Sequence, residues 1–262
     1  MRIGVHKLTA IVTWATIALL LLPASRPSSA ESASADLPFA ATNVLYEGSL
    51  NTGTPDTQEF FYLTQPLTGT QATQTFSSPS TLLDTTSQIN DYAGYFANPL
   101  GYAPLDRVGG YQVLFTVQVI SETHVNTDRA GFSLLVTSSD KQGIELGFWE
   151  NEVWAQEGGT VNPFTHAEGA SFTTTTDLVE YRLTVIGDHY SLAANGSTVL
   201  AGLLRDYTQA PAPPLPVNPY TTANLIFLGD DTSSAQATIK FRHAAVINAA
   251  PFEIHLPLIS AD

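Results

Sequence analysis

The chain has 262 residues, 10 of them basic against 24 acidic, a net charge of −14 and no cysteine. So acidic a chain repels phosphate backbones, which excludes nucleic acid as a partner. The missing cysteine excludes disulfides, thiolate zinc sites and cysteine nucleophiles together.

Residues 1–35 read as a signal peptide and polar leader. Arg2 and Lys7 precede the apolar run "LTAIVTWATIALLLLPA", and "SSA" (28–30) and "ASA" (33–35) offer small-residue cleavage sites after Ala30 or Ala35. An uncleaved anchor is the alternative, although the run is near the lower limit for spanning a bilayer. Cleavage after Ala30 removes Arg2, Lys7 and Arg26 but no acid, leaving 7 basic residues against 24 acidic. No second long apolar run comes after it, so the expectation is a secreted protein without a membrane span after cleavage. Without disulfides, its stability rests on core burial, for which this length suffices.

From Val44 onward, short apolar or alternating runs are broken by Gly, Pro, Asn, Asp and Ser. No run holds helical spacing for ten residues, so an all-β domain over residues 36–248 is expected, with 249–262 as a tail. The longest strand is "YQVLFTVQVI" (111–120). It sets Tyr111, Val113, Phe115, Val117 and Val119 on one face, with Leu114 and Ile120 on the other. Two partly apolar faces suit a central strand of a two-sheet sandwich. "GFSLLVTSS" (131–139) and "IELGFW" (144–149) are the next strands, joined by a turn at "SDKQG".

In "VEYRLTVIGDHYSLAANGSTVLAG" (179–202), Val179, Tyr181, Leu183 and Val185 alternate with polar residues, and Asn195-Gly196 is a type I′ hairpin signal. Asn195-Gly196-Ser197 also forms a glycosylation sequon, but the Asn-Gly turn explains these residues better. The proline-rich "RDYTQAPAPPLPVNPY" (205–220) lacks donors for a strand and reads as a long surface loop. "AQATIKFRHAAVI" (235–247) is the closing strand.

The stretch "EYRLTVIGDHYSLAANGSTVLAG" with "NLIFLGDDTSSAQATIKFRHAAVI" resembles the C-terminal half of a concanavalin A-like, laminin G-like jelly roll. "GTPDTQEFFYL" (53–63) resembles its opening strand. The resemblance spans about residues 40–248 and implies an antiparallel two-sheet β-sandwich. That family includes lectins, adhesive modules, glycosidases and lyases, so fold alone decides no activity.

Catalytic patterns are weak. Glu145, Glu150 and Glu152 do not form the acid-x-acid-x-acid run along one strand that places two carboxyls about one bond; Glu150 and Glu152 are two apart, but "ENE" falls where the chain is expected to turn. Ser133 in "GFSLL" lacks the second glycine of a nucleophile elbow. The histidines show no His-x-x-x-His spacing. Glu122, His124, Asp128 and Arg129 gather in one loop at the sandwich rim, where Asp128 and Arg129 could pair locally. Asp230 and Asp231 at "GDD" are the candidate metal ligands, for calcium, or else an ordinary turn.

"ELGFWENEVWAQ" (145–156) is the densest candidate site. With Asn151-Glu152 as a two-residue turn, Trp149 lies opposite Trp154 and both indoles share the face away from Ile144, Leu146 and Phe148. Gly147 beside them leaves room for a flat group. Trp149 and Trp154, rimmed by Glu145 and Gln156, are then a ligand-binding set able to stack a sugar ring, or else ordinary core. The sequence thus points to a secreted, non-enzymatic binding module for an extracellular glycan or cell-surface polymer. A glycosidase or lyase of the same fold, and a structural surface protein without a ligand, are the alternatives.

Overall fold

The computed structural model describes residues 39–64, 71–158, 164–210 and 218–249. The segments expected to be signal peptide and polar leader, and the expected tail beyond Ala249, lie outside them. The described residues hold sixteen strands and two single turns of 3-10 helix (Gly48–Leu50, Pro55–Thr57). No helix among them is long and apolar enough to cross a membrane.

The strands form two antiparallel sheets of eight. The first runs β13 (Ser197–Leu203), β12 (His189–Ala194), β11 (Val179–Ile186), β6 (Tyr111–His124), β16 (Ala235–Ala249), β4 (Ser80–Asp84) and β3 (Thr73–Ser77). β1 (Phe39–Glu47) also pairs with β16, bringing Phe39 opposite Ala249. The second runs β10 (His166–Ser171), β9 (Glu152–Gln156), β8 (Gln142–Phe148), β7 (Ser133–Thr137), β15 (Leu225–Asp230), β5 (Ala93–Ala97) and β2 (Phe60–Thr64). The short β14 (Arg205–Asp206) adds to β8.

The alternation read in the sequence is what joins the sheets. Tyr111, Val113, Phe115, Val117 and Val119 of β6 are all at most 1% exposed. So are Tyr181, Leu183 and Val185 of β11, the strand beside it. They meet Ile144, Leu146 and Phe148 of β8 in the core, where Phe148 stands edge-on to Phe115 and Tyr181. Asn195 and Gly196 both take positive φ (49° and 82°) between β12 and β13, as a type I′ turn requires.

One expectation changes at the proline-rich segment. Its described ends lie only partly on the surface: Asp206, Thr208 and Gln209 are exposed, while Tyr207, Ala210 and Tyr220 are buried. Arg205–Asp206 hydrogen-bond as a strand, and Tyr207, Ala210 and Tyr220 pack with Leu135, Leu225 and Phe227 in a second apolar cluster. That cluster covers part of the second sheet's outer face. The aromatic content of the segment, not its prolines, decides where its ends go.

Candidate functional site

The β8–β9 hairpin organises the site. Its register pairs Leu146 with Ala155, Gly147 with Trp154 and Phe148 with Val153. The Trp149 amide donates to the Glu152 carbonyl (2.9 Å), which makes Glu150-Asn151 the tip. The expected Asn151-Glu152 turn is therefore displaced, and Trp149 lies diagonal to Trp154 instead of opposite. The tip is held from outside: Phe172 N–H donates to the Asn151 carbonyl (3.0 Å) and Thr174 N–H to that of Glu150 (3.1 Å). Because the register differs by two residues, face parity survives and both indoles still stand together, centroids 5.3 Å apart.

The room beside Gly147 is taken by the protein itself. A Cβ there would sit 2.7 Å from Trp154 Cε2, so the glycine lets the Trp154 ring lie flat on the sheet. Trp154 is wholly buried and its indole N–H makes no hydrogen bond. Trp149 is half-buried and donates through Nε1 to the Arg129 carbonyl (3.0 Å).

Two histidines complete a ladder of four rings. His124, at the end of β6, stacks on Trp149 at 4.3 Å and 13°. His166, at the start of β10, stacks on Trp154 at 4.5 Å and 23°. Each imidazole is held by a carboxylate, His124 by Glu122 (3.0 Å) and His166 by Glu152 (3.1 Å). Glu122 is buried against that pairing, and desolvation pushes its pKa up. Glu150 stays exposed and accepts from the Glu122 N–H (3.2 Å). The exposed residues of the ladder's end are thus His124, its neighbour Thr123 and the Glu150-Asn151 tip.

Glu145 and Gln156 do not rim this ladder. Gln156 is 1% exposed and donates to the Asp128 carbonyl (2.9 Å). Glu145 is fully buried, 3.2 Å from Arg129 Nη1, and accepts a 2.6 Å hydrogen bond from the Tyr220 hydroxyl. Arg129 also bonds Asp231 Oδ1 (2.6 Å), and its guanidinium lies 4.5 Å from the centre of the Phe164 ring. The local pairing of Asp128 with Arg129 is replaced by these distant partners. Burial pushes the Glu145 pKa up to about 7, against the pull of the Arg129 charge. Arg129 itself is held well above its usual value, since two carboxylates flank the cation.

Asp230 and Asp231 have different partners. Asp230 accepts from Thr85 Oγ1 (2.7 Å) and Thr232 N–H (3.0 Å), and burial pushes its pKa well up. Asp231 faces Arg129 and Tyr220. Among the described residues no three His, Asp or Glu side chains gather for a metal. The two carboxylates of "GDD" thus part company, Asp230 turning to Thr85 and Thr232 and Asp231 to Arg129 and Tyr220.

Chemically, burial raises the Glu145 pKa, and the same burial leaves no exposed surface through which a substrate could reach its carboxyl. The ladder's outer end combines an aromatic edge, an imidazole and carboxylates at a loop rim.

No protein-family model and no curated protein matches the sequence. Among solved structures, the conserved carbohydrate esterase vb_24B_21 of the Shiga toxin-encoding bacteriophage phi24B is similar over 80% of this chain and 100% of its own, at 11% identity and a TM-score of 0.54. The fold is a concanavalin A-like jelly roll. A galectin-like protein of unknown function from Bacillus subtilis covers 81% of this chain and 98% of its own (10% identity, TM-score 0.47). The exoplasmic/lumenal domain of VIP36, in a Ca2+- and mannose-bound form, covers 82% and 92% (9% identity, TM-score 0.47). At such identities the likeness extends to the jelly roll alone.

The sequence points to the indole pair but not to His124 and His166 as its stacking partners, nor to the Arg129 cluster. It carries one signal for the latter. An arginine beside Asp128 in so acidic a chain has many possible partners, and only the fold selects Glu145 and Asp231.

Proposed function

We propose that this protein is a secreted, non-catalytic module that binds extracellular glycan at the jelly-roll rim, where Trp149 and His124 meet the ligand. The observation that carries the reading is the ring ladder, rigidly stacked inside and exposed at His124. Sugar C–H faces pack on such rings, while Glu150 and the imidazole offer partners to hydroxyl groups. Trp154 and His166 hold Trp149 from beneath, and Glu145 and Gln156 support the sheet behind it. The signal-like leader supports export, and the acidic balance is compatible with an extracellular polymer as partner.

The raised Glu145 pKa is what would favour the alternative, a glycosidase or lyase. Its complete burial argues against it. Neither reading uses calcium.

The test is a glycan array followed by titration of the best hit, watched by tryptophan emission. Trp149→Ala and His124→Ala are expected to weaken binding at least about tenfold, with near-wild-type melting temperatures. Saturation should change the emission, because Trp149 is the half-exposed indole. Unchanged affinity in both variants sinks the rim as the site. Reducing-sugar or unsaturated-product release that Glu145→Gln abolishes would replace binding by catalysis.

A further inference from the structure

A second feature of the outer face has no place in that reading. Beyond the Tyr207–Tyr220 cluster, the face of β15, β5 and β2 carries a groove of about 630 Å³. Its walls include Phe61, Leu63, Phe96, Leu225, Phe227 and Pro219. Phe61 and Leu63 are 54% and 52% exposed, although β2 is a strand of the sheet and both sit beside other apolar groups. The groove follows β15 from Asn224 to Asp230–Asp231, about 20 Å at ~3.3 Å per residue.

The described chain ends close to one mouth of this groove. The Ala249 amide donates to the Gly110 carbonyl (3.1 Å), and the Asn248 side chain to the Pro104 carbonyl (3.1 Å). The next residue, Leu105, donates its N–H to Asn224 Oδ1 (2.9 Å), and the Tyr102 hydroxyl donates to the Asn224 carbonyl (2.7 Å). Only the Tyr102–Leu105 loop therefore separates Ala249 from Asn224.

Past Ala249 the sequence continues as "APFEIHLPLISAD" (250–262), in which Phe252, Ile254, Leu256 and Leu258 alternate with other residues. Thirteen extended residues reach about 43 Å, enough to round the loop and run the groove's full length. The leader segment starts beside the same point, since Phe39 pairs with Ala249, but "ESASADLP" carries two acids and one leucine toward a groove with acids at its far end. The tail also carries two acids, Glu253 and Asp262, but it sets Phe252, Ile254, Leu256 and Leu258 at alternate positions where the leader has a single leucine.

We propose that residues 252–259 dock in this groove of their own chain, with Ile254, Leu256 and Leu258 turned onto Leu225, Phe227 and Leu63 in that order. The register supports the order. Phe61, Phe96 and Phe227 lie level at mid-groove, and Leu63, Gly94 and Gly229 lie level at its far end. Docking covers Phe61 and Leu63 and closes the outer face of the sheet.

The native chain has no cysteine, so an introduced pair reports without competition. In the full chain, Leu63→Cys with Leu258→Cys should close an intramolecular disulfide at least about tenfold faster than Leu203→Cys with Leu258→Cys. Leu203 is as exposed (56%) but lies on β13 of the other sheet. Equal rates overturn the proposal, as does a disulfide that joins two chains, which would make a second copy the occupant. An independent arm replaces Ile254, Leu256 and Leu258 by Ser and measures binding of a hydrophobic fluorescent dye. Dye binding several-fold above wild type supports docking. Equal binding means that the tail does not cover the groove and overturns it.

Discussion

Glu145 and Arg129 meet at 3.2 Å in a place where water reaches neither freely, and Asp231 takes the other side of the same guanidinium. One cation thus neutralises two carboxylates drawn from distant parts of the chain. Removing it leaves uncompensated buried charge. Arg129→Met should cost about 3–5 kcal/mol in urea unfolding. Adding Glu145→Gln to that variant should recover part of the loss, because one stranded charge is then gone. A loss below about 1 kcal/mol would mean that water replaces the guanidinium.

The same cluster sets a pH dependence. Glu145 titrates near 4.5 when exposed and near 7 in the fold. Between those values the folded state binds more protons, so this group's contribution to stability falls as pH rises and is lost above about 7. Asp230, pushed up by burial, acts in the same direction. Unfolding free energy measured at pH 5 and pH 8 should therefore drop further in the wild type than in Glu145→Gln, by on the order of 2 kcal/mol. An identical drop in both proteins would show that Glu145 is ionised throughout.

Gly147 and Trp154 make a coupled pair. Gly147→Ala should cost about 1–3 kcal/mol, since its Cβ meets the indole at 2.7 Å. Trp154→Ala should cost about 3–5 kcal/mol. With the indole gone the alanine has space, so Gly147→Ala should be close to neutral in the Trp154→Ala background. Additive losses would place the strain elsewhere.

For calcium the divergent partners of Asp230 and Asp231 give a direct expectation. Any change in melting temperature on adding millimolar calcium should be the same in the wild type and in Asp230→Asn/Asp231→Asn. A rise present only in the wild type would show that the ion displaces Arg129 from Asp231.

Much of the fold is legible in the sequence because it depends on local alternation. Val113, Phe115 and Val117 reveal their face within five residues, and Asn195-Gly196 reveals its turn within two. The indole pair is legible for a subtler reason: a shift of two residues in hairpin register moves the turn but preserves the face. Contacts across the fold are not legible. Arg129 finds Asp231 102 residues away, and nothing local distinguishes that acid from Asp128 beside it. The proline-rich segment misleads for a related cause. Its prolines speak of loop, while the burial of Tyr207 and Tyr220 depends on an apolar sheet face formed by strands elsewhere in the chain.

The pairing of Phe39 with Ala249 also bears on how the molecule can be presented. Ala249 lies beside the first residues of β6 and Phe39 one strand further out, whereas His124 closes β6 thirteen positions later, about 43 Å along the strand. A partner joined directly at residue 39 would therefore leave the aromatic rim at the far pole, pointing away from it. Fusing a partner at residue 39 leaves that pole unobstructed, so the protein can be displayed on a surface through its first strand with its rim facing the surrounding medium.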